Sequence, residues 1–250
     1  MRTFGLLGKT LTHSLSKNYF EEKFAKEGLT DCQFHLFEIE NIELLPALLE
    51  QHPDICGFTV TIPYKQQILP YLDRISDEAR AIGAVNAIKV VHLKGKRQLW
   101  GFNTDVEGFR RSLSGHELPA KALVLGSGGA AAAILYVLKE KGIEYLTVSR
   151  TKQQGTITYS EVTSKTVEEY PLIINCTPVG TLEDKRPPLP YEALTERNFL
   201  YDLVYNPSTT SFMQAGIERN AQTMNGLPML HLQADAAWEI WNAPIETLSL

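Results

Sequence analysis

The sequence predicts an α/β architecture in two parts: a mainly parallel sheet first, then a second, doubly wound α/β unit. Three observations carry this. Apolar strand-like runs alternate with helical patterns from the first residues onward, the rhythm of parallel strands joined by crossover helices. A breaker-rich stretch and a hairpin interrupt that rhythm, and after the polar segment SGHELPAK (114–121) it starts again. The restart, KALVLGSGGAAAAIL (121–135), is an apolar strand, a glycine turn and an alanine-rich helix, the opening of a Rossmann-like unit.

TFGLLG (3–8) opens the first sheet. A helix over about 16–28, the strand QFHLFEI (33–39), a helix over about 41–51 and the strand ICGFTVTI (55–62) follow. Pro63 ends the last strand, because it brings no N–H to a ladder, and Lys65 comes two residues later. Short helical pieces fill 65–82, and then AVNAIKVV (84–91) and KRQLWGF (96–102), separated by HLKG, read as an antiparallel hairpin. The helical segment TDVEGFRRSL (104–113) marks the domain boundary. Beyond it lie KALVLG, a helix over about 129–141, the strands in EYLTVSR (144–150), YPLIINCTP (170–178) and NFLYDLVY (198–205), a helix over about 209–219, and QTMNG (222–226). The final pattern, MLHLQADAAWEIW (229–241), places Leu230, Ala234, Trp238 and Trp241 on one helical face. That helix closes the second domain or crosses back to the first.

Composition narrows the function. A chain of 250 residues with 44% hydrophobic content can bury a core in one large domain or two modest ones. A net charge of −5, a pI near 5.7 and no run of like charges argue against nucleic acid or an anionic membrane surface as partner. The uncharged run at 122–138 is broken by glycines and shorter than the roughly 20 residues of a membrane span. MRTFGLLGKT has too short an apolar run for a signal peptide and reads as a first strand. Cys32, Cys56 and Cys176 lack metal-type spacing, so no metal site is expected, and three thiols that cannot all pair fit a reducing, cytoplasmic setting. Monomer and homodimer both stay open.

The glycine turn carries the first chemistry. In Gly126-x-Gly128-x-x-Ala131 the glycines allow a tight turn and close backbone approach, and the small third position lets helix pack on strand. Amides of Gly126, Ser127, Gly128, Gly129 and Ala130 are then placed to meet a dinucleotide pyrophosphate at the helix N-terminus. The next strand ends in Ser149, Arg150, Thr151 and Lys152, where an NAD-binding unit would carry an acid. Two cations and two hydroxyls suit a 2′-phosphate, which favours NADP; the alternative is a solvated loop.

Four polar clusters punctuate the first domain: THSLS with Ser14 and Ser16, TVTIPYK with Thr59, Thr61 and Lys65, GAVNA with Asn86, and NTD with Asn103, Thr104 and Asp105. Each follows or interrupts an apolar strand, and ligands of open α/β sheets bind outside the carboxyl ends of strands. Short hydroxyls and amides with one cation and one carboxylate suit a small polyhydroxylated acid. Plainer roles compete: Lys65 as a surface cation, Asp105, Ser14 and Ser16 as helix caps, Asn86 as a backbone ligand.

In their joint order these motifs, with VSRT, INCTPVG, YDLVYNP and NGLPMLHLQ, resemble the shikimate 5-dehydrogenase family, NADP-dependent reductases of the pathway to chorismate and the aromatic amino acids. The resemblance implies an N-terminal substrate domain, residues 1–103 joined by a C-terminal helix over about 236–250. It implies a Rossmann-like NADP-binding domain over 104–235, with a cleft between the two. It places the substrate carboxylate near Ser14, Ser16 and Tyr205, and the ring hydroxyls near Thr61, Lys65, Asn86, Asp105 and Gln233. Gly226 and Met229 would lie near the nicotinamide, and Asn175, Thr177 and Pro178 would line the cofactor cleft. Lys17, Thr59 and Pro228 stand where family members commonly carry proline, asparagine and glycine.

The activity so implied is reversible reduction of 3-dehydroshikimate to shikimate with NADPH. Lys65 would donate a proton or stabilise developing negative charge, and Asp105 would orient it. Two other readings remain, a quinate/shikimate dehydrogenase of relaxed specificity and a non-catalytic sensor on the same scaffold; retention of both Lys65 and Asp105 argues against the sensor.

Overall fold

The computed structural model describes residues 1–12 and 14–250, so His13 of the THSLS motif lies outside the described residues. The chain divides into two compact units, Met1–Gly108 with His231–Leu250, and Phe109–Leu230.

The first unit contains β1 (Arg2–Gly8), α1 (Ser16–Glu27), β2 (Cys32–Glu38), α2 (Leu45–Gln51), β3 (Ile55–Val60), α3 (Tyr64–Gln67), β4 (Arg74–Ile75), α4 (Asp77–Ile82), β5 (Ala87–Leu93), β6 (Lys96–Phe102) and the start of α5 (Thr104–Ser112). Its sheet has the order β2-β1-β3-β5-β6-β4. The first three strands are parallel, β5 runs against both β3 and β6, and β4 lies parallel to β6. Side chains alternate across it as the pleat requires. Phe58, Val60, Tyr64, Ile68 and Ile88 fill one face, and Phe4, Phe20, Phe24, Phe34, Trp100 and Trp241 the other. Gly57 makes room on the second face, since a Cβ there would run into the Trp241 indole.

The second unit contains β7 (Lys121–Leu125), α6 (Gly129–Glu140), β8 (Glu144–Ser149), β9 (Thr156–Thr158), α7 (Ser164–Glu169), β10 (Leu172–Asn175), β11 (Phe199–Asp202), α8 (Ser211–Ile217) and β12 (Gln222–Met224). The wholly parallel order β12-β11-β10-β7-β8-β9 steps to opposite sides of β7, which sets the topological switch point between β7 and β10. Its central strands β7, β10 and β11 are apolar in their interiors, as strands covered on both faces tend to be, with Lys121, Asn175 and Asp202 at their ends. The last helix, α9 (Leu227–Asn242), starts in this unit and ends in the first.

Several elements differ from the sequence reading. The strand expected over 55–62 stops at Val60, and the backbone makes one more ladder-like bond, Thr61 N–H to the Leu7 carbonyl at 2.9 Å, before Pro63. The hairpin turn is two residues, Lys94 and Gly95, both at positive φ, tighter than the four-residue HLKG separation. The C-terminal helix expected over about 236–250 instead begins at Leu227 and stops at Asn242, just ahead of Pro244. The short strands β4 and β9 hold too few residues to show alternation.

Candidate active site

The first group of candidate residues assembles on one rim of the first sheet. β1, β3 and β6 run the same way, so the segments that follow them emerge together; β5 runs against them, so the residue preceding it, Asn86, reaches the same rim. Backbone bonds lock this edge: Val60 N–H to Asn86 O at 2.8 Å, Asn86 N–H to Phe102 O at 3.0 Å, and Val85 N–H to Lys65 O at 2.8 Å. The base of Lys65 is further fixed by its neighbour Tyr64, 1% exposed, whose hydroxyl donates to the Ile39 carbonyl at 2.5 Å.

From that base the Lys65 ammonium reaches Asp105 Oδ2 at 2.5 Å, with side-chain exposures of 15% and 8%. The other oxygen, Oδ1, accepts from Asn86 Nδ2 at 2.8 Å. Asn86 is a junction: its Oδ1 accepts from the Thr104 N–H at 2.6 Å, and its amide also points to Gln233 Oε1 at 3.5 Å. Lys65, Asn86, Asp105 and Gln233 are thus brought together, and Thr104 joins them. Capping of α5 falls to Asn103, whose Oδ1 accepts from Val106 N–H at 3.4 Å, which leaves both Asp105 oxygens to the cation and the amide.

Thr61 is half-buried beside the loop after β1; a Cβ on Gly8 would lie 2.8 Å from its methyl. Ser14 and Ser16 occupy that loop and the first residue of α1, and the Ser14 hydroxyl accepts from the Ser16 N–H at 3.2 Å. The N-cap residue of α1, Leu15, offers no side-chain cap, so the Ser14 hydroxyl meets the first helical N–H from one residue further back. Thr59 is 4% exposed and donates to the Gly5 carbonyl at 3.3 Å, so its hydroxyl is satisfied inside the sheet.

The second group lies at the switch point of the second unit. Gly126 has φ +112°, which side chains rarely adopt, and a Cβ there would meet Thr177 at 3.2 Å. A Cβ on Gly128, by contrast, would meet open space. α6 starts at Gly129 with no side-chain cap and no acid in its first turn, and Ala131 is buried against the sheet. A glycine cradle on an uncapped helix N-terminus is chemistry suited to a pyrophosphate.

At the end of β8, Arg150 is exposed and, among the described residues, forms no ion pair. Lys152 is paired with Glu161, whose carboxyl is held down at about 2 by Lys152 and by bonds from Thr158. Ser149 is buried and donates to the Thr151 carbonyl, so it shapes the turn. Asn175 is wholly buried: its amide donates to Asp202 Oδ1 at 2.9 Å and to Val179 O at 3.3 Å, and its Oδ1 accepts from Thr177 Oγ1 at 2.6 Å. Its side chain holds the loop, and the half-buried Thr177 and exposed Pro178 form that loop's outer surface.

Asp202 was not anticipated, because a carboxylate at a strand end carries no sign of its burial in sequence. It is 0% exposed and accepts from Asn175, from Val204 N–H at 3.0 Å and from Thr210 Oγ1 at 2.6 Å. Burial pushes its pKa up to about 6, against the pull of those three bonds.

Tyr205 is half-buried on the loop after β11 and Met229 is buried in the first turn of α9. Pro228 breaks no intrahelical bond there, since it lies in the first turn, while Asn225 Oδ1 accepts from the Leu227 N–H at 3.1 Å. Gly226 must be glycine: a Cβ would sit 2.6 Å from the Leu203 carbonyl carbon. Gly226→Ala is expected to destabilise the protein by about 1–3 kcal/mol in a denaturant titration, as overpacking against backbone does.

A sequence profile of the shikimate dehydrogenase substrate binding domain matches residues 6–88. Over 96% of its length the chain is 38% identical to a shikimate dehydrogenase (NADP(+)) from Clostridium beijerinckii, and it covers 92% of that relative. The chain belongs to the shikimate dehydrogenase family. Solved family structures agree in fold. Shikimate dehydrogenase from Thermus thermophilus, in complex with NADP(H) and shikimate, superposes with a TM-score of 0.85 at 33% identity, covering 97% of this chain and 94% of that one. The Aquifex aeolicus enzyme gives 0.85 at 31% identity over 98% and 94%. Among the described residues of this family member, no cluster of three or more His, Cys, Asp or Glu could hold a metal ion, and no helix is long and apolar enough to cross a membrane.

Proposed function

We propose that the chain catalyses the reversible, NADPH-dependent reduction of 3-dehydroshikimate to shikimate, in the cytoplasm, with Lys65 and Asp105 at the reacting oxygen. The observation that carries this reading is the buried Lys65–Asp105–Asn86 chain of bonds, in a family member whose relatives bear the name shikimate dehydrogenase (NADP(+)). Bound NADPH supplies the hydride. Gly126, Gly128 and the α6 N-terminus would hold its pyrophosphate, and Arg150 its 2′-phosphate.

The residues of this chain have three tasks. Ser14, Ser16 and Tyr205 bind the substrate carboxylate. Thr61, Asn86 and Gln233 orient the ring hydroxyls with short donors and acceptors. Lys65 delivers a proton to the oxygen that gains negative charge, while Asp105, held by Asn86, keeps the ammonium aimed and accepts from a ring hydroxyl. The direct test incubates the protein with 3-dehydroshikimate and NADPH. Loss of NADPH matched one-to-one by shikimate supports the reading, and no turnover by folded protein contradicts it.

Arg150, not Lys152, is expected to dominate cofactor choice, because Glu161 already neutralises Lys152. Arg150→Ala is expected to raise the Kd for NADPH by about 10-fold or more and the Kd for NADH by less than about threefold, the loss of a charge-assisted contact to one phosphate. Equal effects on both nucleotides would remove Arg150 from the phosphate site.

A further inference from the structure

Lys89 is a cation on the central strand β5 that the catalytic reading does not use. It is 8% exposed, and its ammonium donates to the carbonyls of Ile240 and Trp241, both at 3.0 Å, and to that of Ala243. All three of its donors are placed. The acceptors lie at the end of α9, where a helix runs out of N–H groups for its last carbonyls and carries its negative dipole end.

Two further contacts seize the same turn. The Trp241 indole N–H donates to the Ile88 carbonyl at 2.9 Å, and the ring lies over Gly57, which pairs directly with Lys89 across the β3–β5 ladder. The end of α9 is therefore clamped to β5 in both position and rotation.

The other end of this rigid link is Gln233. It lies eight residues before Trp241, about 12 Å along the axis, and at i, i+4 and i+8 Gln233, Ala237 and Trp241 share one face. Its Oε1 meets Asn86 Nδ2 and Thr104 Oγ1, each at 3.5 Å. Asn86 in turn stands three residues before Lys89, just ahead of the same strand. One strand and one helix thus carry both the amide pair of the rim and the clamp that aligns them.

We propose that Lys89 is a positioning residue for the substrate ring: by capping α9 from β5 it fixes where Gln233 stands relative to Asn86. This rests on the reading that Gln233 and Asn86 meet the substrate. Lysine suits the task because a compact ammonium offers three donors to three converging carbonyls, which a neutral side chain of that length cannot.

The test is a double-mutant cycle on the full-length protein with shikimate and NADP as substrates. Lys89→Met is expected to raise the shikimate KM by about fivefold or more, the scale of one or two lost hydrogen bonds, with kcat within about twofold and the NADP KM unchanged. In a Gln233→Ala background the same change is expected to move the shikimate KM less than about twofold, because Lys89 acts through Gln233. An additive effect, or an unchanged KM in folded Lys89→Met, overturns the proposal. Should Lys89→Met fail to fold, Trp241→Phe, which removes the indole bond to Ile88 together with part of the buried ring, carries the same cycle, with a smaller rise expected and no rise overturning it. If Gln233→Ala alone leaves the shikimate KM unchanged, the placement of Gln233 at the substrate falls, and the role of Lys89 falls with it.

Discussion

Lys65→Ala is expected to lower kcat by about 10²-fold or more while the variant still binds NADPH, the usual loss when a positioned proton donor is removed. The expectation comes from geometry. Backbone bonding to Val85 and the buried Tyr64 fix the start of the side chain, and Asp105 fixes its end. Asp105→Asn is expected to cost a comparable factor, because an amide can no longer accept from both the ammonium and Asn86 while keeping the cation aimed. Both variants break a mostly buried ion pair, which can destabilise by about 3–5 kcal/mol, so activity must be referred to the folded fraction. Near wild-type kcat in either folded variant would remove that residue from the proton-transfer role.

The second large effect concerns stability. The Asp202 pKa lies at about 6 in the folded chain against an ordinary 3.8. A carboxyl with a raised folded pKa holds its full stabilising contribution below its unfolded pKa and loses it as pH rises through the folded value. Two pKa units correspond to about 3 kcal/mol, so the unfolding free energy is expected to lose about that much from this group between pH 4 and 6. Asp202→Asn keeps a neutral side chain and the acceptor for Asn175 and Val204, and is expected to flatten that part of the profile. Denaturant melts from pH 4 to 7 would show it. An Asp202→Asn profile parallel to wild type would place the titration elsewhere.

Much of this architecture was legible from residue pattern. The βα alternation is a direct consequence of burying apolar strands, and the glycine turn before an alanine-rich helix does fall at the switch point of the second sheet. The gathering of Thr61, Lys65, Asn86 and Asp105 at one rim was also legible, although for Asn86 the reason lay deeper. It precedes its strand and reaches the rim only because β5 runs antiparallel.

What escaped was the direction of individual side chains. Asn175 and Ser149 are polar residues at strand ends, as a ligand contact would be, yet both turn inward to hold their loops. The pairing of Lys152 with Glu161 depends on a turn and a short strand too brief to announce themselves. Lys89 lies inside an apolar strand and Asp202 at the end of one, and nothing in a linear pattern separates a buried, fully bonded charge from a solvated one.

Whether this site handles shikimate with NADP is decided by kcat/KM measured for shikimate and quinate, each with NADP and with NAD. The highest value is expected for shikimate with NADP, falling when either partner is exchanged. A higher value for quinate with NAD, or no turnover in any of the four combinations by folded protein, would contradict it.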